Sequence, residues 1–283
     1  MFYLISAIIT SALILIIFKV FEKWKIDNLV AITVNYLVAA GLGLWLCSDT
    51  ADFASVLQQP WIYISLFAGV MLMMTFLIYG TSVQKAGLAI TSVAGKMSVV
   101  IPVLLGLIWF NETAGWGKIV GISLAMIAFW LAFRKKESGA KRTIYFYLPV
   151  LLFFGNGLND SLLKIAEKNY ITNDFIFFLA TAFTVSLVIG IMLSGVKYVR
   201  TKKVPDGRSI LAGILLGVLN WYSTYFFLVG MRHFEVSLFV PVFNISVVVI
   251  AALAGLFFFK QHLKPINWVG IAIAVGAIVL MSL

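Results

Sequence analysis

The sequence predicts an all-α integral membrane protein: about ten transmembrane helices arranged as two inverted five-helix repeats. Three observations lead there. Of 283 residues, 62% are hydrophobic and only 11% are charged, against roughly 25% charged in soluble domains. The apolar residues fall in runs long enough to cross a hydrocarbon core of about 30 Å, which takes about 20 helical residues. The second half of the chain also repeats the spacing of the first.

The runs cover 2–18, 29–46, 60–80, 87–110 and 116–133 in the first half. In the second half they cover 147–165, 174–195, 209–230, 236–259 and 266–283. They are too long for strands and lack period-two alternation, and a bilayer admits only helices or closed barrels. The first run has no basic residue before Lys19 and no small-residue cleavage site. It reads as a retained span and not as a signal peptide. The chain then divides into 1–133, a basic connecting loop 134–146, and 147–283.

The repeat shows at both ends of each half. Lys19, Glu22 and Lys23 recur as Lys164, Glu167 and Lys168, and Asn28 recurs as Asn173. Later in the half, Gly95, Gly106, Glu112 and Gly121 recur as Asn244, Gly255, Gln261 and Gly270. A small change of offset between the two sets implies insertions in the intervening loops. With five spans per repeat, the halves enter the membrane in opposite senses. Secondary transporters are built this way, with substrate held near mid-depth between the repeats.

The fourth run carries one charge, Lys96, about nine residues or roughly 13 Å from its Gly87 end. A lysine in mid-span costs about 2.5–3.5 kcal/mol on insertion scales, so it faces protein or water. Two readings follow. The side chain snorkels toward the Gly87 interface, or it lines a cavity and meets an anion. Thr91, Gly95, Ser98, Pro102 and Gly106 make one face of this helix small, which lets another backbone approach.

The sixth run is the most polar. Asn156, Asn159, Asp160 and Lys164 share a face. They read either as binding residues or as a structural Asp160–Lys164 pair with helix-sealing amides. Asp160 is the candidate proton carrier. The eighth run adds Asn220, Trp221 and Tyr222, the ninth adds Asn244, and the third adds Tyr79. Pro102 and Pro241 remove backbone donors in the fourth and ninth runs and are the candidate gates.

Loop charges set an orientation. Of 21 Lys and Arg residues, 16 lie after odd-numbered runs and 4 after even-numbered ones. The positive-inside rule places the first group in the cytoplasm and both termini outside. The net charge of +10 therefore reflects topology and does not argue for nucleic acid. A single cysteine, Cys47, and two histidines, His233 and His262, offer no metal cluster. No nucleophile triad or phosphate-binding loop is present, so an enzyme and a cofactor are not expected. The expected partners are a small-molecule substrate and the bilayer, with a monomer preferred to a homodimer.

The segment from Leu104 to Glu112, with Gly117 and Gly121 after it, and its copy from Ala254 to Gln261, with Gly270, resemble the drug/metabolite transporter superfamily in its EamA-type ten-helix branch. In that family a Gly, an apolar run, a Glu and a later Gly recur in each half. Gln261 departs from the pattern, and a hydrogen bond at a loop end is the expected role of this position. The resemblance implies a cavity lined by the first, third, fourth, sixth, eighth and ninth helices, with the fifth and tenth packed together as support. One lysine, several amides and aromatic walls suit an exporter or exchanger of small polar metabolites, such as amino acids, nucleosides or related anions, working by alternating access. The alternative is a broad exporter of aromatic or cationic compounds. A bacterial inner membrane is the expected location.

Overall fold

The computed structural model describes residues 1–47, 58–111, 115–133, 145, 147–170, 175–234, 236–261 and 265–282. Glu112, His262, residues 48–57 and nearly all of the basic connecting loop lie outside these residues. Every regular element described is an α-helix. In chain order they are α1 (Phe2–Trp24), α2 (Asn28–Cys47), α3 (Ile62–Lys85), α4 (Leu88–Met97), α5 (Val100–Trp109) and α6 (Trp116–Phe133). There follow α7 (Tyr147–Asn169), α8 (Phe175–Thr201), α9 (Gly207–His233), α10 (Val236–Phe257) and α11 (Pro265–Ser282).

Among the described residues, seven stretches are long and apolar enough to cross a bilayer, with α4 and α5 counted as one. Helices α6 and α11 contain shorter apolar stretches, Trp116–Ala128 and Pro265–Leu280.

The run 87–110, expected as one helix, is divided in two. Pro102 has no N–H to give the carbonyl of Ser98, four residues back. The Ile101 N–H takes that carbonyl instead, at 2.9 Å. An i to i+3 bond tightens the backbone toward a 3₁₀ turn, and Ser98 and Val99 sit at ψ −19° and −21°. Helix α5 restarts directly after them.

The chain forms two compact units. Unit one comprises Met1–Val20, Ile78–Gly157 and Tyr222–Leu283, and unit two comprises Phe21–Leu77 and Leu158–Trp221. Each draws on both halves of the sequence.

In unit one, α6 packs along α11, and α4 packs on α10. The shared core is rich in alanine: Ala89, Ala94, Ala125, Ala128, Ala252, Ala274 and Ala277 are buried with Val93, Met97, Val100 and Val248. Small side chains let the helices lie close, which is how they gain contact in a solvent as apolar as themselves. Lys19 donates from Nζ to the Gln84 carbonyl at 3.0 Å, and Gln84 donates back to the Phe18 carbonyl at 3.2 Å.

In unit two, α2 packs along α8. Hydroxyls tie α3 to both of these helices, giving partners to polar groups that lipid cannot satisfy. Ser186 donates to the Gly69 carbonyl at 2.8 Å, Ser65 to the Phe178 carbonyl at 2.9 Å, and Tyr36 to the Leu72 carbonyl at 3.0 Å. At Gly217 a Cβ would stand 2.8 Å from the Asn35 carbonyl, so α9 meets α2 at a distance no larger residue allows. Asp27 caps α2 by accepting the Leu29 N–H at 3.1 Å. Its other carboxylate oxygen pairs with Lys197, and its own N–H donates to Ser209 Oγ at 3.0 Å.

Candidate functional site

Lys96 occupies the last turn of α4, where the helix dipole favours a cation. Its side chain is half-buried, and Nζ stands 4.3 Å from the centroid of the Phe243 ring on α10, within cation–π range. The direction of this contact follows from the helix ends. Leu88 at the start of α4 and Gln261 just past α10 are hydrogen-bonded, so these two ends lie together. Lys96 is about 12 Å along α4 from them, whereas Phe243 is about 21 Å along α10 from them. The ammonium therefore points along α4 away from its Gly87 end, opposite to the direction a snorkelling lysine would take.

Gly95 makes room beside it. A Cβ there would lie 3.2 Å from both Asn156 Nδ2 and the Tyr79 ring. Asn156, from α7, donates to the Gly95 carbonyl at 3.4 Å, and Ser98 Oγ donates to the same carbonyl at 2.6 Å. Tyr79, from α3, packs edge-on to Phe18. Asn244 and Phe243 are both buried on α10, as are Pro102 on α5 and Pro241 inside α10. Unit one thus brings a cation, an amide, a phenol and an aromatic face to one region. Tyr222 also belongs to unit one, but it is exposed and stacks on Phe226 one turn along.

The other expected residues lie in unit two. Asn159 donates to Thr75 Oγ1 at 3.3 Å, while its Oδ1 is buried with no hydrogen-bond partner among the described residues. An unmet buried acceptor costs about 1–3 kcal/mol, so Asn159 is a natural seat for a donor from a ligand. Asp160 is exposed on the neighbouring position. Trp221 is buried edge-on to Phe183, with Gly43 close against its ring. It is part of the core of unit two and not an open aromatic wall. Asn220 lies 3.2 Å from the Asn35 amide, which, oriented by its neighbours, donates to the Leu216 carbonyl and accepts from the Tyr36 N–H, each at 3.2 Å.

Three contributors were not anticipated. Asn35 is completely buried in α2, and a mid-span asparagine was a readable signal. Phe243 had no signal, being one of 24 phenylalanines. Gln84 lay at a span end, where polar residues are ordinary.

These helices define an integral membrane protein. Residues 146–283 match the model of the EamA-like transporter family. The chain is 27% identical to an uncharacterized protein of Haemophilus influenzae, over 97% of this chain and 95% of that one. A solved crystal structure of a protein shares the fold, with a TM-score of 0.59 at 15% identity over 99% of this chain and 94% of that one.

Proposed function

We propose that the protein is a secondary transporter, an exporter or exchanger, of small polar metabolites that carry an anionic group, amino acids, nucleosides or related anions among them. The observation that carries this reading is the Lys96 ammonium, held over Phe243 with Asn156 and Tyr79 alongside. An intramembrane cation is costly and marks a substrate or ion path. The Phe243 face is already taken by a cation and Trp221 is turned into a core, which weighs against an exporter of aromatic or cationic compounds.

Ten crossings in two inverted repeats, and alternating access by α4–α5 and α10, complete the proposal. Repeat-related helices pack in pairs, α2 with α8, α4 with α10 and α6 with α11. Asn111 and Lys260, equivalent in the repeat, share a left-handed backbone at φ 50° and 49°. Helix-end contacts join loops that alternate crossing would place on one face. Those after α1 and α3 meet through Lys19 and Gln84, and those after α1 and α8 through Asp27 and Lys197. That face holds most of the basic residues, so it is the cytoplasmic one, the termini are external, and the membrane is a bacterial inner membrane. The working form is a monomer.

A melting-temperature screen of the purified protein tests the substrate class, with anionic and zwitterionic metabolites set against organic cations, followed by liposome uptake of the hits. Protection by anions or zwitterions supports it. Protection by cations alone overturns it.

A further inference from the structure

A helix that ends in the left-handed region usually ends in Gly or Asn, because a Cβ is strained there. Among the described residues four non-glycine positions have such a backbone: Lys25 (φ 54°), Asn111 (50°), Lys202 (54°) and Lys260 (49°). Asn111 is the ordinary choice. The three lysines are not. The helix dipole does favour a cation at a C-terminus, but Lys23 and Arg200 already supply one inside the last turns of α1 and α8, while the last turn of α10 holds none. At Lys25 and Lys202 the cap position therefore adds no folding advantage that glycine would lack.

The surroundings of these lysines have a common pattern. All three are exposed, and each follows an exposed aromatic residue: Trp24 before Lys25, Tyr198 one turn before Lys202, and Phe258 before Lys260. The turns are firmly built. At the end of α1, the Ile26 N–H donates to the Phe21 carbonyl at 3.0 Å and the Lys25 N–H to Glu22, with Phe21 and Ile26 both buried beneath. At the end of α8, the Lys202 N–H donates to the Tyr198 carbonyl at 2.7 Å. An aromatic ring at the bilayer interface with a cation just beyond it matches the depth of a headgroup phosphate.

The α8 end carries the most charge. Its 27 residues make a helix of about 40 Å, some 10 Å longer than the hydrocarbon core. Its last turns reach headgroup depth, where Arg200, Lys202 and Lys203 are followed by Arg208 in the first turn of α9. A cation in a first turn opposes the helix dipole, so Arg208 too is placed against local preference.

We propose that Lys25, Lys202 and Lys260 are headgroup-binding residues that recruit anionic phospholipid to the helix ends of this protein. The proposal needs only that the chain spans a bilayer and is independent of the substrate.

The test uses full-length protein in nanodiscs of phosphatidylcholine, with and without phosphatidylglycerol. Melting temperature is measured, and retained phosphatidylglycerol is counted by native mass spectrometry. The wild type should melt higher with the anionic lipid. The triple variant Lys25→Asn, Lys202→Asn, Lys260→Asn, whose new residues tolerate the same backbone, should melt no lower than wild type in neutral discs and lose most of the lipid response. Retention should fall about fivefold per lysine removed. The matching triple arginine variant should keep the response. If the asparagine triple does not fold, the single variants Lys25→Asn and Lys260→Asn are compared in the same way. An unchanged lipid response in the asparagine variants overturns the proposal. So does an equal rise from inorganic phosphate in neutral discs, which would mean a free-anion site.

Discussion

The side-chain oxygen Oε1 of Gln261, just past α10, accepts the N–H of Leu88, the first residue of α4, at 3.1 Å. One end of the helix carrying Lys96 is thereby capped by the helix carrying Phe243. Two glycines make the notch. A Cβ on Gly255 would stand 2.9 Å from Oε1, and one on Gly87 would stand 3.0 Å from it. Gly87 also has φ 108°, which only glycine adopts freely. The loop-end hydrogen bond expected of this position is what the geometry gives.

Replacing Gln261 by leucine should destabilise the protein by about 1–3 kcal/mol, because the Leu88 N–H loses its partner. Glutamate should do no harm. Gln261 Nε2 is buried without a hydrogen bond among the described residues, so the amide nitrogen contributes little, and a carboxylate suits a helix N-terminus. Thermal unfolding of the two variants checks this, and a glutamate variant melting below the leucine one would contradict it.

Lys96→Met should abolish transport while expression and folding stay near normal. Arginine should rescue poorly, since its planar fork is not a point charge. Phe243→Leu removes an interaction of about 0.5–2 kcal/mol and should weaken substrate binding severalfold. The assay is uptake into liposomes beside equilibrium binding. Full uptake by Lys96→Met would remove Lys96 from the substrate path.

Pro241 lies inside α10, two residues from Phe243. Restoring a backbone donor there with Pro241→Ala should straighten the helix and slow exchange between the two faces more than it weakens binding. Initial uptake rate and affinity, measured on one preparation, distinguish the outcomes. Parallel losses would make Pro241 a shaper of the site and not a gate.

Asp160 is the candidate proton carrier. If transport runs on a proton gradient, Asp160→Asn should leave substrate exchange working and remove its dependence on the gradient. Unchanged proton dependence would return Asp160 to the structural alternative, a pair with Lys164 one turn along.

A reporter placed at the C-terminus should register outside the cytoplasm. A cytoplasmic signal would show that the loop charges do not govern orientation here.

By itself the sequence determined that the chain is helical and lies in a membrane. Apolar runs that long leave the backbone no other way to satisfy its hydrogen bonds in lipid. It also singled out Lys96, Pro102 and the Gly–Gln261 motif, because a charge, a missing donor and a repeated spacing can each be read locally. What the tertiary structure decided was partnership. It seated Lys96 over Phe243 and buried Trp221 against Phe183. It placed Asn156 in a different unit from Asn159, Asp160 and Lys164, although these four residues share a face in sequence. The reason is physical. Inside a bilayer every helix is apolar on most sides, so hydrophobic periodicity no longer marks which side meets protein. The choice falls to close fit between side chains and glycine notches on helices far apart in the chain, and no local pattern encodes that fit.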